Sequence, residues 1–348
     1  MAEILYRGRR AYCIENEHLR VVVSLEGGHL AAIEDLTTGV NPLWTPPWPS
    51  IEPSTWDATK HPEYGNDAES RLLSGILGHN ICLDIFGGPS DEEAAAGITV
   101  HGEAPIALYE FVTTRGQLLQ RATLPIAQLA FERRIELPAG SRRINITERL
   151  ENLSPLDRPV AWTQHVTLGP PFLEKGRTVF RASATKSKVV EHDFTGGHCP
   201  LKIGAEFYWP CAPANDGGTV NLEVFTDRAV SGGFTTHLMD QDRNLAYFVA
   251  WSPHDKLAFG YSWRPQDFPW LGIWEENYSR HHAPWNGRTL TRGMEFGVSP
   301  FPESRRAMIS RGHLFGVPAY RWLAARSVAE VRYSAFLEPW AHVPDSIV

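Results

Sequence analysis

Between residues 131 and 152 the chain carries its clearest secondary-structure signal. Phe131, Ile135 and Leu137 lead into Pro138-Ala139-Gly140-Ser141, and Ile144, Ile146 and Leu150 lead out of it. Arg142, Arg143, Glu148 and Glu151 are among the polar residues between. A period of two sends successive side chains to opposite faces of a strand, and the Pro-Ala-Gly-Ser stretch supplies a turn. The segment therefore predicts a long antiparallel hairpin with one face to water. It delivers the chain through Asn152-Leu153-Ser154-Pro155 into a second strand-like run, Pro159 to Leu168, which ends in a rigid Gly-Pro-Pro-Phe corner.

Most of the remaining chain reads the same way. Short β-rich runs (residues 19–25, 29–35, 245–251, 257–263 and 270–278) are broken by glycines and prolines, which make up 29 and 26 of the 348 residues. Five prolines and Trp44, Trp48, Trp56 and Tyr64 between Trp44 and Asn66 exclude regular structure there. A loop this long is more often functional than connective, so it suggests a wall or lid over a site. Asp91-Glu92-Glu93 marks an exposed turn of helix or loop, and helix is expected only from Pro302 to Ser310 and from Ala319 to Ala325, before a closing strand from Val328 to Leu337. No repeat and no linker divides the chain, so residues 1–348 read as one large antiparallel all-β domain.

Charge and cysteine usage narrow the function. The net charge is −7 and the basic residues form pairs such as Arg9-Arg10 rather than runs, which argues against nucleic acid and anionic membrane surfaces as partners. No apolar stretch reaches spanning length and the N-terminus lacks a signal-peptide core, so a cytoplasmic protein is expected. Cys13, Cys82, Cys199 and Cys211 show no Cys-x-x-Cys spacing and read as reduced thiols. Nucleotide-binding glycine motifs, zinc-protease and serine-hydrolase motifs are all missing, so no cofactor is expected. His281-His282, with His79, His61 and Asp84 as helpers, has no recognised ligand spacing, and no metal site is expected.

Candidate chemistry lies at strand ends. In the run Trp162-Thr163-Gln164-His165-Val166-Thr167-Leu168, Trp162, Gln164, Val166 and Leu168 share one face, with Thr163, His165 and Thr167 on the other. His165 is either a satisfied core residue or a positioned acid. His101 precedes Gly102, which lets another group approach closely. Glu275 and Glu276 follow an apolar run, and consecutive strand residues point oppositely. One of the pair should face outward, the other into whatever Trp274 and Asn277 line. Twelve tryptophans fit either a wide β core or a site that stacks indoles on sugar rings.

Three of these motifs, in order, resemble the aldose 1-epimerase (galactose mutarotase-like) family: Val100-His101-Gly102; Leu150-Glu151-Asn152-Leu153-Ser154 running into Thr163-Gln164-His165-Val166; and Ile273-Trp274-Glu275-Glu276-Asn277. The resemblance spans roughly Leu19 to Leu337 and implies a large antiparallel β-supersandwich with few short helices. It implies a sugar substrate, His165 as general acid, Glu275 as general base, and His101 binding the sugar near its ring oxygen. His79 and Asn80 stand where the family usually has an arginine and are candidates for sugar binding, with Trp162, Trp274 and Asn277 beside them. The same fold also accommodates a non-catalytic carbohydrate-binding protein, or a different sugar epimerase or lyase.

Overall fold

The computed structural model describes residues 3–343, so residues 1–2 and 344–348 of the expected domain lie outside the described residues. Two antiparallel sheets dominate it. The larger has twelve strands and runs Ile4–Tyr6, Arg9–Glu15, Leu19–Ser24, Leu30–Asp35, His79–Asp84, Arg158–Leu168, Leu290–Gly297, Trp270–Asn277, Ser231–Met239, Ala184–Val189, Glu206–Tyr208, with Arg321–Leu323 pairing the start of Arg158–Leu168. The smaller has eight strands, from Val179–Ala182 through Ala246–Ser252, Leu257–Trp263, Val328–Pro339, Arg143–Asn152, Leu129–Glu136 and Gln117–Leu124 to Glu110–Thr114. This is the expected all-β supersandwich.

The hairpin is present, its arms being Leu129–Glu136 and Arg143–Asn152 with Ile135 opposite Ile146. Two charged residues lie on its inner face. Glu148 shares parity with Ile146 and Leu150, and Arg133 shares it with Phe131 and Ile135, so both charges point into the space between the sheets, where they are fully buried. Apolar side chains from both sheets fill most of that space, including Ile81, Leu83, Trp162, Val166, Phe248, Tyr261, Met294 and Phe296.

A second apolar cluster covers the opposite face of the large sheet with Trp44, Trp48, Tyr64, Phe86, Phe234, Trp270, Trp274, Trp285 and Phe301. The middle strands are therefore buried on both faces, which is why Arg158–Leu168 shows unbroken burial beyond its first two residues. The proline- and tryptophan-rich loop belongs to this second layer. Its Trp44 stacks on Trp285 at 6.1 Å and its Trp48 meets the same ring edge-on at 5.2 Å.

Helix is scarce: Ser70–Leu73, Asp91–Ala95 and Arg305–Arg311. Ser90 and Glu93 form a reciprocal capping box at the second, and Ser304 caps the third by accepting from the Ala307 amide. The helix expected from Ala319 to Ala325 is instead the strand Arg321–Leu323, whose backbone groups find partners on Arg158, Pro159 and Val160. Sheet pairing overrides a weak local preference there. Among the described residues, no helix is long and apolar enough to cross a membrane.

Candidate active site

Strand register decides which side chains meet. Asn80 pairs with His165, His165 with Glu295, and Glu295 with Gly272, so these four form one row across four adjacent strands. Directly paired residues share a face, and the row lies on the face away from the small sheet. Trp274, two residues from Gly272, is on the same face. Above it a cavity of about 310 Å³ is lined by His101, His165, Glu295, Trp274, Trp285, Phe234, Glu69, Arg280 and His192, with Leu72, Leu73 and Ile76 from the segment after the proline-rich loop. That volume is near the lower end of the roughly 300–1,000 Å³ usual for small-molecule sites.

The polar centre of the cavity is compact. His165 Nε2 lies 3.1 Å from Glu295 Oε1, without a hydrogen bond aligned along the ring N–H; Glu295 Oε1 is buried and unpartnered. On its other side the ring meets the Thr167 hydroxyl, 3.0 Å from Nδ1. The His101 and His165 rings are 4.9 Å apart between centroids, and Trp274 is 6.0 Å from His165. Burial, reinforced by the neighbouring His101, pushes His165 well below the ordinary imidazole value, while burial pushes the Glu295 carboxyl well above the ordinary carboxylate value. Burial therefore disfavours the charged form of both groups.

His101 is held from both ends. Its backbone sits at φ 67, a left-handed conformation uncommon for a residue with a side chain. Gly102 follows because a Cβ there would collide with the Leu83 carbonyl. The Leu83 amide donates to the His101 carbonyl at 3.1 Å, and the His101 amide donates to the Gly87 carbonyl at 3.1 Å. Its Nδ1 is 2.6 Å from the Phe86 carbonyl, which can only accept, so Nδ1 carries the proton and Nε2 is free to accept. Burial lowers its pKa to about 4 and keeps it neutral.

The residues singled out in the sequence divide between the two faces. His101, His165 and Trp274 come together in the cavity, and Asn80 lies beside His165 with both amide atoms buried and unpartnered. Glu275 does not join them. Consecutive strand residues point oppositely, so Trp274 in the cavity puts Glu275 on the other face, where it accepts from Arg292 Nη2 and Ser231 Oγ, each at 2.9 Å. Asn277, three residues from Trp274, also faces away and donates to the Arg228 carbonyl and Ser231 Oγ. Glu276 shares the face of Trp274 but turns back to accept from the Ser279 amide and hydroxyl at 2.6 and 2.7 Å. His79 and Trp162 lie between the sheets, His79 against Tyr261 and Gln164 and Trp162 donating to Glu148 at 2.7 Å.

Sequence reasoning missed Glu295, yet a signal was there. Gly293-Met294-Glu295-Phe296-Gly297 places a carboxylate between two glycines on one face, with Met294 and Phe296 on the apolar other. Gly293 leaves room for it: a Cβ there would strike the Glu295 carboxyl. Glu69, Arg280 and Trp285 carry no comparable local signal, because loops bring them in.

No protein-family model matches the chain, and none of the curated proteins matches it. Solved structures do. A candidate aldose 1-epimerase from Klebsiella pneumoniae superimposes with a TM-score of 0.69 at 15% identity, over 96% of this chain and 80% of that one. A galactose mutarotase-like protein from Clostridium acetobutylicum gives 0.62 at 13% identity over 97% and 98%. A galactose mutarotase related enzyme from Lactobacillus acidophilus gives 0.61 at 13% identity over 96% and 99%. The chain has the galactose mutarotase-like fold.

Proposed function

We propose that the protein is an aldose 1-epimerase-like isomerase that interconverts the anomers of a sugar, with His165 as acid and Glu295, not Glu275, as base. The observation that carries this reading is one cavity in which an imidazole and a carboxyl lie 3.1 Å apart beside an indole. In the active form the sugar separates the two groups. The carboxylate takes the proton of the C1 hydroxyl, the imidazolium gives one to the ring oxygen, and the C1–ring-oxygen bond breaks. The products are an open-chain aldehyde, a neutral imidazole and a protonated carboxyl, which is the state burial already favours. Rotation about C1–C2 and the reverse transfers close the other face. His101, neutral and with Nε2 free, accepts from a sugar hydroxyl, and Trp274 supplies an apolar wall for the ring.

Polarimetry of freshly dissolved α-glucose and α-galactose tests the proposal. Purified protein accelerates mutarotation, and His165→Ala returns it to the buffer rate. Binding of these sugars without any acceleration would favour the non-catalytic carbohydrate-binding reading instead.

A further inference from the structure

We propose that Glu69 is a specificity-determining residue of this cavity: its carboxylate takes a hydroxyl of an uncharged sugar and turns away sugars that carry a phosphate or carboxylate. The proposal rests on reading the cavity as a sugar site.

Glu69 stands just before the short helix Ser70–Leu73 but forms no side-chain cap; its side chain lines the cavity instead. Arg280 is the one arginine or lysine among the described residues lining that cavity. Its guanidinium lies over Trp285 at 4.7 Å and Trp274 at 5.5 Å, and two carboxylates oppose it, Glu69 at 3.6 Å and Glu276 at 3.5 Å. Glu276 is already saturated by the Ser279 amide and hydroxyl and the Arg280 amide.

Glu69 is not saturated. Its contacts are all long: Trp285 Nε1 at 3.4 Å, His282 Nε2 at 3.5 Å and Arg280 Nη1 at 3.6 Å. They orient the carboxylate while leaving it able to accept a short hydrogen bond from a ligand hydroxyl. Burial alone would raise its pKa, but His282, Arg280 and Trp285 together outweigh burial and hold it below the ordinary carboxylate value. An anionic sugar would meet this fixed negative charge. It could reach Arg280 only by displacing Glu69, leaving a carboxylate unpaired in the cavity wall, and such a penalty excludes a wrong ligand as effectively as a clash.

Calorimetric titration of wild type, Glu69→Gln and Glu69→Ala with glucose, galactose, their 6-phosphates and glucuronate tests this. Wild type binds a free hexose at least about tenfold more tightly than its phosphate, and Glu69→Gln weakens the free hexose by about tenfold and closes or inverts that ratio. Equal wild-type affinity for ester and free sugar, an unchanged ratio in both variants, or no binding of any of these sugars overturns the proposal. The ratio is read from binding alone. Sugar binding with the expected ratio but no mutarotation would sink the isomerase reading and leave this one standing.

Discussion

The two faces of the large sheet put nearly the same residue types to opposite use. Between the sheets, Glu148 accepts from Arg133 Nε, Tyr333 Oη, Trp162 Nε1 and Gln164 Nε2, each at 2.7 Å. Gln164 Oε1 in turn accepts from His79 and Arg133, and His79 Nδ1 takes the Tyr261 hydroxyl. The lone pairs and protons of this buried network are matched within the protein. On the cavity face, one residue away along the same strands, Glu295 Oε1, both amide atoms of Asn80 and the Thr163 hydroxyl are buried without partners. A buried polar group left unpaired costs roughly 1–3 kcal/mol, so a cluster of them calls for partners from outside the chain, water or a ligand. Around Glu148 the polarity is matched within the protein, and around His165 it is not.

The sharpest break of that comparison is Glu295→Gln. If the unpaired face holds the base, this variant loses about 10²–10⁴-fold of any mutarotation rate, the usual contribution of one general acid–base group. Its thermal midpoint stays at or above that of wild type, because an amide carries no charge to desolvate. Polarimetry and a thermal melt on the same sample check both halves, and retained activity would remove Glu295 from the mechanism.

Arg133→Met attacks the matched face. Removing one partner of a fully buried ion pair strands Glu148 and costs about 3–5 kcal/mol. Denaturant melts should show the loss, while the rate per folded molecule stays within a few-fold of wild type. A selective loss of rate with stability intact would contradict the division of labour between the faces.

Strand parity explains how much of this was legible in the sequence. The alternation from Trp162 to Leu168 correctly separated Gln164 from His165, and the all-β architecture followed from glycine and proline punctuation. Parity also contradicted the expected base: Trp274 and Glu275 are adjacent and cannot share a face of a regular strand, and Trp274 and Asn277, three apart, cannot either. A resemblance carried by short motifs drew attention to the Glu275-Glu276 pair and away from the lone Glu295 between its glycines. Other cavity residues were beyond reach for a different reason. Glu69 lies 211 positions before Arg280, and long-range packing, including that of Trp44 and Trp48 on Trp285, brings their segments together.

Acid acts through buried histidines in several parts of the fold. Burial holds His29 and His237 at about 3, His101 at about 4, and His79 and His165 well below 6.5. Below pH 6.5 the unfolded chain binds these protons and the folded chain does not, so stability present above 6.5 is lost as pH falls toward the folded values. The loss approaches roughly 1.4 kcal/mol per pH unit for each histidine. Glu295 works in the other sense: its raised pKa stabilises the fold below the ordinary carboxylate value of 4.5 and loses that contribution as pH rises through the raised value. Denaturant midpoints at pH 7.5 and pH 5 should therefore fall on acidification, and a flat profile would show that the histidines are not held neutral.

The smallest effect belongs to Glu275→Gln, and it separates the two carboxylates most cleanly. Glu275 is partly exposed at 16% and shares Arg292 with the Leu222 carbonyl and the rings of Phe180 and Phe225. An amide in its place keeps one oxygen to accept from Arg292, while its NH2 reverses the Ser231 contact and donates to Oγ, so the charge and one acceptor are lost. That costs about 1.5–3 kcal/mol, the range of a hydrogen bond to a charged group, with mutarotation unchanged. The substitution is chemically identical to Glu295→Gln and lies on the adjacent strand. If it abolished activity while Glu295→Gln did not, the base would sit on the face that strand parity assigns to structure, and the cavity reading would fail with it.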